Sequence, residues 1–498
     1  MHINFKHFKK IITCISAGII SMSAFTLSAS ADEPYDVYNY DRWGEAAPSQ
    51  AGYIAERAVT GEELGTGHFN APSDIFLAND GKFYIADTGN NRIVVIDSDF
   101  EKTLAVYDSF DYNGEKLTLK SPGGIYVNKD DSMLYIADTE NSRIIKCDTD
   151  GKVKLIIEKP DSELYGRDIT FLPKKILVDN FGYVYTVVDN STRGAVMFDS
   201  DGDFLGFYGA NTVEATSKVV YDYLWKLFAT EEMLEGRTKS VPPPFTNFDF
   251  DSSGFIFTCM ASNTQTADRV KKLNPAGNNL FAGYSGFGDF ETEASGYGNT
   301  KSAIVDIDIA PDGSINCLDY TYGRIFQYDK EAELLFICGT KADQLGGFRE
   351  AAAIESTNDK LYVVDSAKNS VTIFEETVFG SYVHEATNLY NAGYFEEALE
   401  PWYEVIRRDG NYRRAYEGIS SAMLNRGDYK EAMRYAKLAM SQWRYDRAFE
   451  GWRSEFINDN FQTISLLLVL LIALLTTLRI LRKKGLIFKK RKERGARS

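Results

Sequence analysis

YIADTGNNRIVVID (84–97) and YIADTENSRIIKCD (135–148) repeat one pattern, and YTVVDNSTRGAVMFD (185–199) repeats it a third time. Their aspartates Asp87, Asp138 and Asp189 lie 51 residues apart. NCLDYTYGRIFQYD (316–329), around Asp319, and YVVDSAKNSVTIFE (362–375), around Asp365, follow the same plan. IFTCMAS (256–262) is a degenerate copy with Met260 where the aspartate should stand. Most copies are preceded by a short apolar strand (DIFLAN, GGIYVN, KILVDN, FDFDSS, DIDIAP) and a turn, and a further strand and a polar turn follow. Short alternating strands at such regular spacing make propeller blades. The sequence therefore predicts a mainly β, six-bladed propeller over 66–378.

A strand ending in Asp followed by Asn and Arg resembles the hallmark of the NHL repeat family. The resemblance covers roughly 66–375 and is strongest in the first two copies. Copy four departs most, and in copy six Ser370 replaces the arginine. The recurrent pairs Asp87/Arg92, Asp138/Arg143 and Asp319/Arg324 invite a catalytic reading. Groups present in nearly every blade are better explained as charge-assisted bonds that tie neighbouring strands, because a functional site breaks a repeat rather than obeying it.

Two departures from the repeat stand out. Between copies three and four, about 212–237, Val220, Leu224, Leu227 and Phe228 fall on one helical face, so an amphipathic helix is inserted there. It either caps one mouth of the propeller or packs on its side. The second departure is the position where each inner strand begins. Aligning the copies places Asp74, Gly124, Lys175, Asn247, Asp306 and Ala352 there. The resemblance puts that position near the central channel, so Asp74, Lys175, Asn247 and Asp306 are the candidate ligand-binding residues. Asp74, Asn247 and Asp306 offer hard oxygen donors for a cation such as calcium, and a solvated channel mouth is the competing reading.

Beyond the propeller the period becomes helical. Gly393/Gly427, Phe395/Tyr429, Ala398/Ala432 and Trp402/Ala436 are each 34 residues apart, which resembles the TPR over 379–460. Such pairs often present a groove, for which Tyr382, Tyr416 and Trp443 are candidates against ordinary core packing. The span 461–481 is apolar and about the twenty residues long that crossing a bilayer needs. The tail 482–498 is strongly basic, which predicts a cytoplasmic C-terminus. At the other end, Lys6, Lys9 and Lys10 precede an apolar stretch and Ala29-Ser30-Ala31, the pattern of a secretory signal cleaved after Ala31; an uncleaved anchor is the alternative. A loose leader (32–65) would follow, its deletion over 33–48 nearly neutral, with 52–59 (GYIAERAV) supplying the outer strand of the last blade.

The chain carries a net charge of −16 although both ends are basic, so its exported part is more negative still. Such a surface repels phosphate backbones, which excludes nucleic acid as its partner. Four cysteines remain after the signal, none in a metal-type pair, and Cys147, Cys259, Cys317 and Cys338 read as buried thiols. The expected function is non-catalytic: a membrane-anchored extracytoplasmic recognition or scaffold protein, without cofactor unless calcium binds. The chain also resembles membrane-anchored NHL-repeat proteins of Gram-positive bacteria, which implies envelope partners such as a sugar-uptake system. Six-bladed relatives include amidating lyases, which need histidines that this chain lacks beyond His2, His7, His68 and His384. They also include gluconolactonase-like hydrolases, for which Asp74, Asn247 and Asp306 would suffice.

Overall fold

The structure, a computed structural model, describes residues 35, 37–130, 132–166, 169–189, 191–210, 243–262, 268–289, 294–295, 298–299 and 302–484. The signal segment, the inserted helix at 212–237 and the tail beyond Lys484 lie outside the described residues. The chain divides into two compact units at Ser381/Tyr382.

The first unit is a six-bladed β-propeller. The inner strands are Asp74–Leu77, Pro122–Val127, Pro173–Val178, Asn247–Phe250, Ile304–Ile309 and Ala351–Ser356. Each touches the inner strand of the next blade, and the last touches the first, so the ring is closed. Four of the second strands, Phe83–Asp87 and Ile315–Asp319 among them, are buried at every position, and the other two at all but their first residues, Met133 and Lys360. Both their faces pack against neighbouring blades, which is why they read as apolar runs rather than alternating ones. Outer strands such as Thr103–Tyr107 alternate between more and less exposed residues, because only one face is covered. Blade four has three strands among the described residues; each of the others has four.

The outer strand of blade six comes from the far end of the chain. Tyr53–Thr60 pairs antiparallel with Ser370–Glu376, so of the segment 52–59 read as ring-closing all but Gly52 lies in that strand. Val59 fills the core between the sixth and first blades with Phe83, Val371 and Ile373. Gly52, just before it, is held by close approach: a Cβ there would sit 2.3 Å from the Phe336 ring.

From residue 37 on the leader is folded rather than loose, so its deletion is expected to lower stability. Tyr38–Tyr40 and Ala46–Pro48 form a hairpin whose Asn39 amide donates to the Leu335 carbonyl (3.1 Å) on blade five. Tyr40 is buried with Phe257, Ile304 and Tyr328. The leader's tyrosine rings supply the apolar area, and their hydroxyls find a carboxylate, Asp289.

All four described cysteines are buried and free. Burial pushes the Cys147 and Cys259 thiols up to about 12, so they behave as small apolar residues.

The second unit is helical: α1 (Val378–Asn391, whose first turn belongs to the propeller unit), α2 (Leu399–Arg408), α3 (Arg413–Arg426), α4 (Tyr429–Leu438), α5 (Gln442–Asp459) and α6 (Phe461–Lys483). From α2 to α5 each helix packs on the next. Gly427 ends α3 at φ 85°, a left-handed C-cap that L residues with side chains avoid. The 34-residue pattern marks the contacts: Ala398 and Ala432 are fully buried, and Trp402 lies so close to Gly418 that a Cβ there would meet the indole at 2.3 Å. α6 is apolar enough to cross a membrane and is buried nowhere along its apolar stretch.

Candidate functional site

The repeated Asp is a structural knot. Asp87 is buried and accepts the Asn70 N–H (2.7 Å) and Arg92 Nε–H (2.7 Å). Asp138 does the same with Lys120 N–H (2.7 Å) and Arg143 Nε–H (2.8 Å). The remaining guanidinium N–H groups donate to the carbonyls of Thr66, His68 and Thr118. The loop entering each blade is thereby tied to the strand that follows it.

Four copies depart from this plan, the one in blade four by carrying Met260 in place of the aspartate. Asp319 accepts the Ala303, Thr321 and Tyr322 N–H groups, but Arg324 is not its partner. Arg324 pairs with Asp289, where Tyr38 and Tyr40 also donate, so the leader hairpin redirects the arginine. In blade six, Ser370 lacks the guanidinium and Lys368 replaces it, its ammonium donating to the Gly347 carbonyl at 2.6 Å. In blade three the register aligns Val188, not Asp189, with the knot position. Asp189 instead pairs with Lys174 at the surface (3.1 Å).

Asp74, Lys175, Asn247 and Asp306 do come together, lining one cavity of about 30 Å³ on the ring axis. Lys175 pairs with Asp74, and the Asn247 amide donates to Asp306. Gly124 keeps its equivalent place: a Cβ there would meet the Lys174 carbonyl at 2.1 Å, so only glycine lets the blade-three strand approach. In blade six, strand register places Ala353 rather than Ala352 at this position, because the turn closing Ser356 to Leu361 is one residue shorter than that closing Ile309 to Ile315 in blade five.

The residues that sequence reasoning missed on the axis are Asp249, Asp308 and Glu355, which line the same cavity. Their role follows from propeller geometry. Inner strands of adjacent blades do not pair, so their inward N–H groups would be orphaned. Carboxylates bridge the gaps: Asp74 accepts from Ile125 (2.8 Å), Asp249 from Ile309 (2.7 Å), Asp306 from Ile354 (2.7 Å) and Glu355 from Leu77 (3.1 Å). The signal was present, since acidic residues recur inside apolar inner strands (FDFD, DIDI, AIES).

This concentration of carboxylates shapes the electrostatics. Burial raises Asp74 to about 6, against the pull of Lys175. Burial works to lower Lys175, but Asp74 and then Asp306 outweigh it and hold its ammonium above the ordinary lysine range. Burial, followed by repulsion from Asp308, holds Asp249 and Glu355 well above the usual carboxylate range, and burial raises Asp308. Among the described residues no three His, Cys, Asp or Glu side chains are grouped as metal ligands. Lys175 already supplies a cation to the oxygens proposed for calcium.

Beside the axis lies a larger cleft of about 740 Å³, spanning the inner-strand turns of blades one to four. Phe76, Tyr126, Tyr183, Tyr185, Tyr208 and Phe250 contribute to its walls. Phe181 stands at its rim, 85 % exposed on a turn held by Asp179, whose carboxylate accepts the Phe181 and Tyr183 N–H groups (2.9 Å each). Asp249 borders both cleft and axis. No sequence reading singled these aromatics out, because they are spread over four blades, one, two, three and four, and only ring closure gathers them.

In the helical unit the three groove candidates find separate neighbours. The Arg408 guanidinium covers Tyr382 (4.6 Å), the Tyr416 hydroxyl donates to Gly410 (3.0 Å), and Trp443 is exposed beside Arg447.

One NHL repeat is matched, over residues 69–96. No curated protein matches the chain in sequence. Among solved structures, Kuenenia stuttgartiensis hydrazine synthase aligns at 10 % identity and TM-score 0.39, covering 66 % of this chain and 99 % of that one. The β-propeller domain of Myceliophteria thermophila Cps50 aligns at 8 % and 0.39, covering 65 % and 100 %. A catalytically inactive virginiamycin B lyase from Staphylococcus aureus, solved with quinupristin, aligns at 10 % and 0.38, covering 70 % and 97 %. At these values the likeness adds nothing to the strand pairing, which establishes the propeller by itself.

Proposed function

We propose that the chain is a non-catalytic recognition or scaffold protein of the cell envelope. Its NHL-type propeller and TPR-like helices lie outside the membrane, α6 spans it, and the basic tail is cytoplasmic. The aromatic cleft carries this reading. It is a large preformed concavity in which aromatic rings alternate with polar side chains such as Lys129, Asp179, Asn180 and Asp251, a surface able both to bury and to orient a ligand. The polar groups on the axis, by contrast, are engaged with one another and with backbone. The partner is a protein or sugar of an envelope complex, such as a sugar-uptake system; nucleic acid is disfavoured by the net charge of −16.

A photoreactive residue at position 181 of the full chain, in its native membrane, is expected to give a defined crosslinked species. The same residue at position 104, exposed on the outer strand of blade one, should not give it. Identical products from both positions, or none from position 181, would count against the cleft.

One observation favours a gluconolactonase-like hydrolase instead: Asp74, Asn247 and Asp306 share a cavity. Against it stand the Lys175 ammonium paired with Asp74 and the Asn247 amide donating to Asp306, which occupy the oxygens a metal would need. Chelator is therefore expected to leave the thermal midpoint of the purified chain unchanged, with no gluconolactone turnover in calcium. A chelator-sensitive midpoint together with turnover lost in Asp74→Asn would establish the hydrolase.

A further inference from the structure

α5 carries two unlike faces. One packs on α4: Ala448 is fully buried, and Gly451 lies so close that a Cβ would meet the Tyr429 ring at 2.3 Å. Beside it runs an aromatic ladder, Tyr445, Phe449, Trp452 and Phe456, with successive centroids 6.4, 5.7 and 5.5 Å apart. Phe449, Phe456 and the adjacent Ile457 are exposed, a contiguous large apolar strip of the kind that marks a contact surface.

What covers it follows from where the helix leads. Only Asn460 separates α5 from α6, and its φ −107°, ψ 13° lies outside the helical range, so the two helices are not one rod. At 1.5 Å per residue, Phe456 lies within about 8 Å of Phe461, and Trp452 within about 14 Å. The headgroup layer of a bilayer leaflet is about 5–8 Å deep. Phe456 and Ile457 therefore cannot leave the interfacial layer once α6 is inserted. A straight continuation would leave Phe449 and Tyr445 in water; a bend at Asn460 immerses the whole ladder. Aromatic rings favour that boundary, and Arg453, next to the ladder, is long enough to reach lipid phosphates.

We propose that α5 is an interfacial helix, lying along the membrane with its Tyr445–Phe449–Trp452–Phe456 edge in the headgroup layer. This rests on the reading of α6 as a membrane span. The full chain is reconstituted into phosphatidylcholine/phosphatidylglycerol vesicles brominated either near the headgroup end of the acyl chains or near their methyl ends. The Trp452 signal is the difference between the wild type and Trp452→Phe. That signal is expected to be quenched at least about twofold more by the shallow bromines than by the deep ones. Phe449→Ser/Phe456→Ser, changed only at exposed positions, should lose the quenching while still floating with the vesicles. An unquenched Trp452 in a chain that floats overturns the interfacial helix and leaves the anchor standing, even if a protein covers the ladder. A chain that does not float overturns the anchor, and the interfacial helix with it.

Discussion

Deleting residues 52–59 is expected to unfold the whole propeller rather than fray one blade. The strand Tyr53–Thr60 is the only outer strand of blade six, and without it the backbone of Ser370–Glu376 is an open edge. Tyr53 and Val59 are both buried, and their loss alone costs about 3–6 kcal/mol. That is a large part of the roughly 5–15 kcal/mol that stabilises a typical domain. Differential scanning calorimetry should show the propeller transition abolished. Deleting 37–48 removes Tyr38 and Tyr40 from Asp289 but opens no blade, and should lower the midpoint without abolishing it. A wild-type midpoint after removal of 52–59 would mean that the ring closes elsewhere.

Lys175→Met should destabilise the chain by about 3–5 kcal/mol at neutral pH, because it leaves buried carboxylates without their cation. The pH dependence has a definite sign. Burial raises Asp74 from 3.8 to about 6 in the folded chain. The folded state therefore binds that proton more tightly than the unfolded one. This contribution to stability is fully present below the unfolded value and is lost as pH rises through about 6. Removing Lys175 takes away the charge that holds Asp74 and Asp306 down, so both move further up. The defect should accordingly be small at pH 5, grow towards pH 7.5, and be largely repaired by adding Asp74→Asn. Urea midpoints measured at the two pH values read this directly. Equal losses at both would show that Lys175 acts by packing and not by charge.

The wrong alignments in the sequence reading share a cause. Asp189 and Ala352 were each placed one residue away from their register equivalents, Val188 and Ala353. A first hairpin turn one residue shorter shifts the count by one while leaving the apolar pattern intact, and only backbone pairing reveals it. Arg324 was assigned to Asp319 by analogy with blades one and two. Its partner, Asp289, is 35 residues away in sequence and is brought in by a hairpin from the N-terminal end.

What the sequence alone determined is whatever repeats or is local. The 51-residue period fixed the blade plan, because each blade solves the same burial problem with the same strand, turn and knot. The 34-residue period marked the helix contacts, and composition alone marked α6. The tertiary structure decided what depends on closure of the ring. It gathered Asp249, Asp308 and Glu355 with Lys175 on the axis, and placed Tyr126, Phe181 and Tyr208 around one cleft. Each set draws side chains from several blades, and no local pattern records how a circle of strands will meet at its centre.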